Sequence, residues 1–139
     1  MEHLIRVAEE VQAALEEGRA VVALETTLVA HGFPAPTGVG VGLASETAVR
    51  AAGAVPATIG VLDGRLVIGL TAEELERFTP DARKLGPRDL APCAVQGAVG
   101  ATTVGGTLTA AAAVGIRFMP TRRIVAWLSG ETSCRSPVE

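Results

Sequence analysis

The sequence predicts an α/β fold, with strands alternating with helices around a central sheet and one β-hairpin inserted. Three observations lead there. Short β-branched runs, such as Val21-Val22-Ala23-Leu24, alternate with segments whose apolar residues fall three and four apart. Two further apolar runs flank Asp63-Gly64, the dipeptide suited to a type I′ turn. Hydrophobic residues make up 48% of the 139 and charged residues 19%, enough for a packed core in one domain or part of a larger one.

The elements follow in order. Leu4, Val7, Ala8, Val11, Ala14 and Leu15 lie on one face of a helix over residues 3–17, stopped by Gly18. A strand over residues 21–27 comes next. "HGFPAPTGVGVG" reads as a loop because Pro34 and Pro36 do not fit regular hydrogen-bonded structure. A second helix occupies residues 39–52 and ends at Gly53. The hairpin covers residues 57–68. Thr71 and Glu74 form a capping box that starts "AEELERF" as a short helix. "ARKLGPRDL" reads as a loop. Asp89 is a candidate N-cap for a helix over residues 90–97, with Pro92 in its first turn. "GATTVGGT" is a small-residue strand and turn, "LTAAAAVG" an Ala-rich helix and "IRFM" one more strand. Residues 120–139 hold a basic pair and the single Trp, with no element long enough to close a domain.

Composition excludes several classes. Aromatics are 3% and net charge is −3, so neither a base-stacking platform nor a global basic surface supports a nucleic-acid polymer. No apolar stretch approaches the roughly 18 residues of a membrane span. Cys93 and Cys134 form no zinc spacing and suit a reducing cytoplasm, and the N-terminus lacks a signal-peptide pattern. The sequence is expected to be soluble and cytoplasmic.

Glu25 is the most informative residue. A carboxylate directly after Val-Val-Ala-Leu is costly unless it is paired, hydrogen-bonded or at the mouth of a site. It is either a strand-end carboxylate bonded to Thr26 or Thr27, or a general acid or base tuned by burial. A strand from 25 to 31 would put His31 on its face as an acid/base partner; otherwise His31 is structural. Gly38, Gly40 and Gly42 fail the dinucleotide pattern, because Leu43 stands where Gly or Ala is needed and no strand precedes. Lys84, with Arg83 and Arg88, could hold a phosphate or carboxylate, or lie in a solvated loop. The "GATTVGGT" turn could offer N–H groups and Thr hydroxyls to an anion, or simply pack tightly. No metal motif is present.

Four segments occurring in order, "VVALETTLVAHGFPAP", "AGAVPATIGVLDGRLVIGLTAEEL", "RKLGPRDL" and "GATTVGGTLTAAAAVGI", resemble the N-terminal part of the pseudouridine-5′-phosphate glycosidase family, also called indigoidine synthase A-like. The resemblance covers residues from about 4 to 121, which divides the chain into the N-terminal part of a family domain over 1–121 and a divergent tail over 122–139. It implies reversible carbon–carbon cleavage of pseudouridine 5′-phosphate to uracil and ribose 5-phosphate, through a lysine imine that serves as electron sink. A glutamate protonates the ring oxygen. The resemblance also implies manganese and homotrimers. Residue by residue, it puts the acid on Glu25 and the substrate contacts on Lys84 and Val104, with Thr103 adjacent. His31 matches a family histidine without an assigned role.

After Thr121 the family pattern continues into segments carrying the imine-forming lysine and the metal-binding aspartate. Here the sequence reads "RRIVAWLSGETSCRSPVE", and Lys84 is the single lysine. The expectation is a family member truncated or out of frame after Thr121, without full activity. The alternatives are a non-catalytic sugar-phosphate-binding or oligomerising fragment, and an unrelated anion-binding α/β protein. Self-association is expected from apolar surface left uncovered.

Overall fold

Residues 4–120 are described by the computed structural model, and all eight residues of one strand among them, Val55–Leu62, are buried. The rest of the fold is organised around that strand. In chain order the elements are β1 (Ile5–Val7), α1 (Glu9–Glu16), β2 (Val21–Glu25), α2 (Thr27–His31), α3 (Thr37–Ala51), β3 (Val55–Leu62), β4 (Arg65–Ile68), α4 (Ala72–Leu75), β5 (Arg83–Leu85), α5 (Leu90–Val95), β6 (Gly100–Thr102) and α6 (Val104–Ala113). The tail over 122–139 lies outside the described residues.

The hairpin forms as its turn chemistry predicts. Asp63 and Gly64 take φ of 49° and 74°, the paired positive values of a type I′ turn, and β3 and β4 run antiparallel on either side. The capping box also forms. Thr71 Oγ1 accepts from the Glu74 N–H, and the Glu74 carboxylate accepts from the Thr71 N–H at 2.9 Å. Gly18 and Gly53 end their helices with φ of 68° and 84°.

Several expectations are corrected. The first helix does not begin at residue 3: Ile5–Val7 pair in parallel with Leu66–Ile68, and α1 starts after extended Ala8. Residues three and four apart satisfy a helix, but they also leave Ile5–Val7 available to cover the open edge of β4, and that pairing wins. β2 stops at Glu25 and Thr27–His31 is helical, so no strand carries Glu25 and His31 on one face. The helix expected over residues 39–52 already starts at Thr37, inside the segment read as a loop. Arg83–Leu85 form a strand rather than a loop, with Gly86-Pro87 ending it. Helix α6 begins at Val104, so the "GATTVGGT" strand and turn is shorter than expected. The "IRFM" segment makes only an isolated parallel bridge, Val22 to Phe118.

Among the described strands, β1–β4, β2–β3 and β5–β6 are parallel pairs, and β3–β4 and β3–β6 are antiparallel. The register has a consequence for the site. β4 takes one edge of β3, opposite Ile59–Leu62. The other edge is shared: Val55–Ile59 pair with β2, and Gly60–Val61 pair with β6. β2 runs with β3 and β6 against it, so the C-terminal ends of β2 and β6 meet head to head beside Ile59. One core, with Val11, Ile59, Val61, Cys93 and Ala110, lies under α1, α5 and α6. The other, with Val29, Leu62, Val67, Leu75 and Phe78, lies under α2 and α4.

Candidate functional site

Glu25 is the last residue of β2, half-buried and opposite Ile59. Val21 and Ala23 belong to the core under α6, so strand alternation sends Glu25 to that face. The two threonines after it do not turn their protons toward the carboxylate. The Thr26 hydroxyl donates to the Ile59 carbonyl at 2.8 Å, and the Thr27 hydroxyl to the Thr102 carbonyl at 2.9 Å. Both hydroxyls are thus tied to the two neighbouring strands.

The opposing strand end is tied to the same point. The Thr102 N–H donates to Thr26 Oγ1 at 2.9 Å, and the Thr102 hydroxyl to the Ile59 carbonyl at 2.7 Å. Thr107, on the second turn of α6, donates to Thr102 Oγ1 at 2.8 Å. Thr26, Thr102 and Thr107 are completely buried. Burial without partners would be costly, and each of these hydroxyls has both a donor and an acceptor role filled or a proton placed.

Thr103 is the N-cap of α6. Its Oγ1 accepts from the Gly106 N–H and donates to the Leu85 carbonyl at 2.9 Å. Its own N–H donates to that same carbonyl at 3.0 Å. The turn before α6 is thereby fastened to the residue beside Lys84. Val104 opens α6 and is exposed. Lys84 is exposed on β5, in register with Ala101.

The structure therefore brings Thr103 and Val104 to the end of Glu25's strand. It does not bring Lys84 onto Glu25's face: Leu85 belongs to the core under α6, so alternation sends Lys84 to the other side. His31, at the end of α2, does not reach Glu25 through a shared strand. Its Nε2 lies 2.9 Å from the Ala82 carbonyl, which can only accept, so Nε2 carries the proton. Nδ1 is buried and unbonded among the described residues. His31 thus ends a helix rather than a strand.

Resolved electrostatic shifts lie away from this junction. Hydrogen bonds from Arg50 and Arg77 hold the Glu10 and Asp63 carboxyls below the usual range, and burial pushes the Cys93 thiol up. An apolar groove lined by Val29, Phe33, Val39, Phe78 and Pro80 lies beside α2 and α3 and includes none of Glu25, Lys84, Thr103 or Val104. No helix among the described residues is long and apolar enough to cross a membrane.

A model of the family described as indigoidine synthase A like protein matches residues 10–125. The chain belongs to that family. Among its indigoidine synthase A-like relatives, the pseudouridine-5′-phosphate glycosidase of Chloroflexus aurantiacus is 54% identical over 121 residues, 85% of this chain and 40% of that protein. The crystal structure of the prealnumycin C-glycosynthase AlnA in complex with ribulose 5-phosphate superposes with a TM-score of 0.74 at 43% identity, covering 85% of this chain and 38% of that one. An indigoidine synthase A-like protein of Thermotoga maritima superposes at 0.72 and 32% identity, covering 85% and 39%. The chain spans about two fifths of the length of these relatives.

Sequence reasoning named Glu25, Lys84, Thr103 and Val104 as candidates and did not single out Thr26, Thr102 and Thr107 as one network. A signal was present. Each strand runs into a Thr-Thr pair at its junction with the following helix, in "LETTL" and "GATTV".

Proposed function

We propose that this chain carries the acid and the sugar-phosphate contacts of a pseudouridine-5′-phosphate glycosidase site. The observation supporting this most is the head-to-head meeting of β2 and β6, which sets Glu25 beside the Thr103–Val104 turn. The names of the curated relatives and the sugar phosphate bound by the structural neighbour point the same way. Glu25 donates a proton to the ribose ring oxygen as the ring opens. Thr103 and Val104 line the sugar, and Lys84 serves as a compact positive charge for the phosphate from the sheet edge, where its four-carbon stem gives it reach.

No imine step is assigned to this chain, because its single lysine is given a contact role. The resemblance implies manganese for the family with its aspartate ligand in segments after Thr121; among the described residues no group of three or more His, Cys, Asp or Glu is placed to hold an ion. No step is routed through one.

Calorimetric titration of the 139-residue protein with ribose 5-phosphate tests the proposal. Saturable binding is expected, weakened about tenfold by Lys84→Ala and by Glu25→Ala, each the loss of one charge-assisted contact. Borohydride with ribose 5-phosphate is expected to leave no adduct on Lys84, and pseudouridine 5′-phosphate to yield no uracil. Absent binding, or unchanged affinity in both variants, overturns the reading. An adduct on Lys84 overturns its contact role.

A further inference from the structure

We propose that Thr26 is a positioning residue: its buried hydroxyl joins the ends of β2 and β6 and thereby sets Glu25 against the Thr103–Val104 turn. The inference rests on the functional reading above and deepens it.

The register carries the argument. β6 pairs Ala101 with Gly60 and Gly100 with Val61. One further step of that antiparallel ladder would face Thr102 with Ile59. There the Thr26 hydroxyl stands between the two strands, accepting from the Thr102 N–H at 2.9 Å and donating to the Ile59 carbonyl at 2.8 Å. The side chain of the residue just after β2 occupies a rung between β3 and β6. The same carbonyl accepts the Thr102 hydroxyl at 2.7 Å, so both of its lone pairs are used. Thr107 completes the chain of bonds by donating to Thr102 Oγ1.

Thr26 also occupies the N-cap position of α2 and makes no cap bond with its side chain. Threonine at such a position ordinarily turns its hydroxyl to the helix. Here the hydroxyl is committed inward. Glu25 and Thr103 are the immediate neighbours of the two joined residues, so the offset between acid and turn is fixed through two short, fully buried bonds. Catalytic and binding groups need placement within about 0.5 Å, and neighbouring hydrogen bonds supply it.

The test uses the full chain, ribose 5-phosphate affinity and amide hydrogen exchange. Thr26→Val keeps the shape and removes the hydroxyl; Thr26→Ser keeps the hydroxyl and removes a methyl. Thr26→Val is expected to weaken affinity about tenfold, the loss of a buried hydrogen bond, while Thr26→Ser stays within about twofold. In a Glu25→Ala background, Thr26→Val is expected to add less than about twofold, because the effect passes through Glu25. Exchange at the Thr102 amide is expected to quicken in Thr26→Val and not in Thr26→Ser. Should Thr26→Val not fold, Thr26→Ala, which also removes the hydroxyl and adds no bulk, carries the same comparison.

An equal loss in the Glu25→Ala background, or wild-type affinity in Thr26→Val, overturns the positioning role. An unchanged Thr102 exchange rate overturns the joint itself. A wild-type chain that binds no ribose 5-phosphate overturns the functional reading and the positioning role with it, and the exchange rates then still decide whether the joint exists.

Discussion

At the end of β2, Thr26 stands in the N-cap position of α2 with φ of −94° and ψ of −12°, and its hydroxyl makes no cap bond. At the end of β6, Thr103 stands in the N-cap position of α6 with φ of −75° and ψ of 175°, and its hydroxyl accepts from the Gly106 N–H. A pair of threonines stands at each strand-to-helix junction. On β6 the tasks are divided, Thr102 joining strands and Thr103 capping the helix. On β2 both fall on Thr26, and joining prevails. Energetics explain the choice: an unpaired buried polar group costs about 1–3 kcal/mol, whereas a lost N-cap costs about 1. The helix left without a side-chain cap has five residues, and the capped one has ten.

Each helix is also held by a close approach at a glycine, and substitution there has the largest expected effect. A Cβ on Gly38 would lie 1.9 Å from the Val29 carbonyl oxygen of α2, and one on Gly106 would lie 2.5 Å from the Leu85 carbonyl oxygen. Neither backbone oxygen can swing aside as a side chain would. Gly38→Ala and Gly106→Ala are expected to cost about 3 kcal/mol or more in urea unfolding, with Gly38→Ala the worse. Gly40 has nothing within 4 Å of its Cβ position, and Gly40→Ala is expected to stabilise α3 by about 0.5–1 kcal/mol. A Gly38→Ala protein as stable as wild type would show that α2 does not rest on α3 as described.

The threonines themselves come next. Thr26→Val leaves the Thr102 N–H buried without its acceptor and is expected to cost about 2 kcal/mol. Thr103→Val removes a cap at a half-buried position and is expected to cost about 1 kcal/mol. Chemical denaturation of both variants settles the order. The reverse order would mean that the cap outweighs the joint, and that burial is not what decides the use of Thr26.

This comparison also shows which features the sequence makes readable. Asp63-Gly64 and Thr71…Glu74 were legible because each is a local device, complete within four residues. Glu25 was legible at a strand end because the apolar run before it is local too. β1 was not: Leu4, Val7 and Ala8 fit a helix as well as a strand, and only the open edge of β4, about 60 residues away in register, decides between them. β5 was hidden by Gly86-Pro87, which reads as loop while serving only as the strand's end. The junction of β2 and β6 depends on β3 being long enough to take two partners on one edge, and no residue of β2 or β6 records that length. The threonine pairs carried the trace, without saying which hydroxyl would face inward.

The smallest expected effect separates the buried junction from the exposed turn of the hairpin. Arg77 donates two hydrogen bonds to Asp63, at 2.7 and 2.9 Å, and these hold the carboxyl below its usual range. In the unfolded chain that carboxyl titrates near about 3.9. Because the folded value is the lower one, the ion pair's contribution is fully present above the unfolded value and is lost as pH falls through the folded one. Both side chains are largely exposed, so the contribution is small and salt-sensitive. Asp63→Asn is therefore expected to lower stability slightly at pH 7, with the difference from wild type shrinking as pH falls below the unfolded value toward the folded one. Thr26→Val removes bonds among neutral groups only, so its cost is expected to be the same at both pH values. Urea midpoints of the two variants and wild type across pH 3–7 make the measurement. An Asp63→Asn cost that does not change with pH would show that the Arg77 contact is not ionic in origin. A Thr26→Val cost that changes with pH would show that a titrating group, Glu25 being the nearest in sequence, is coupled to the joint.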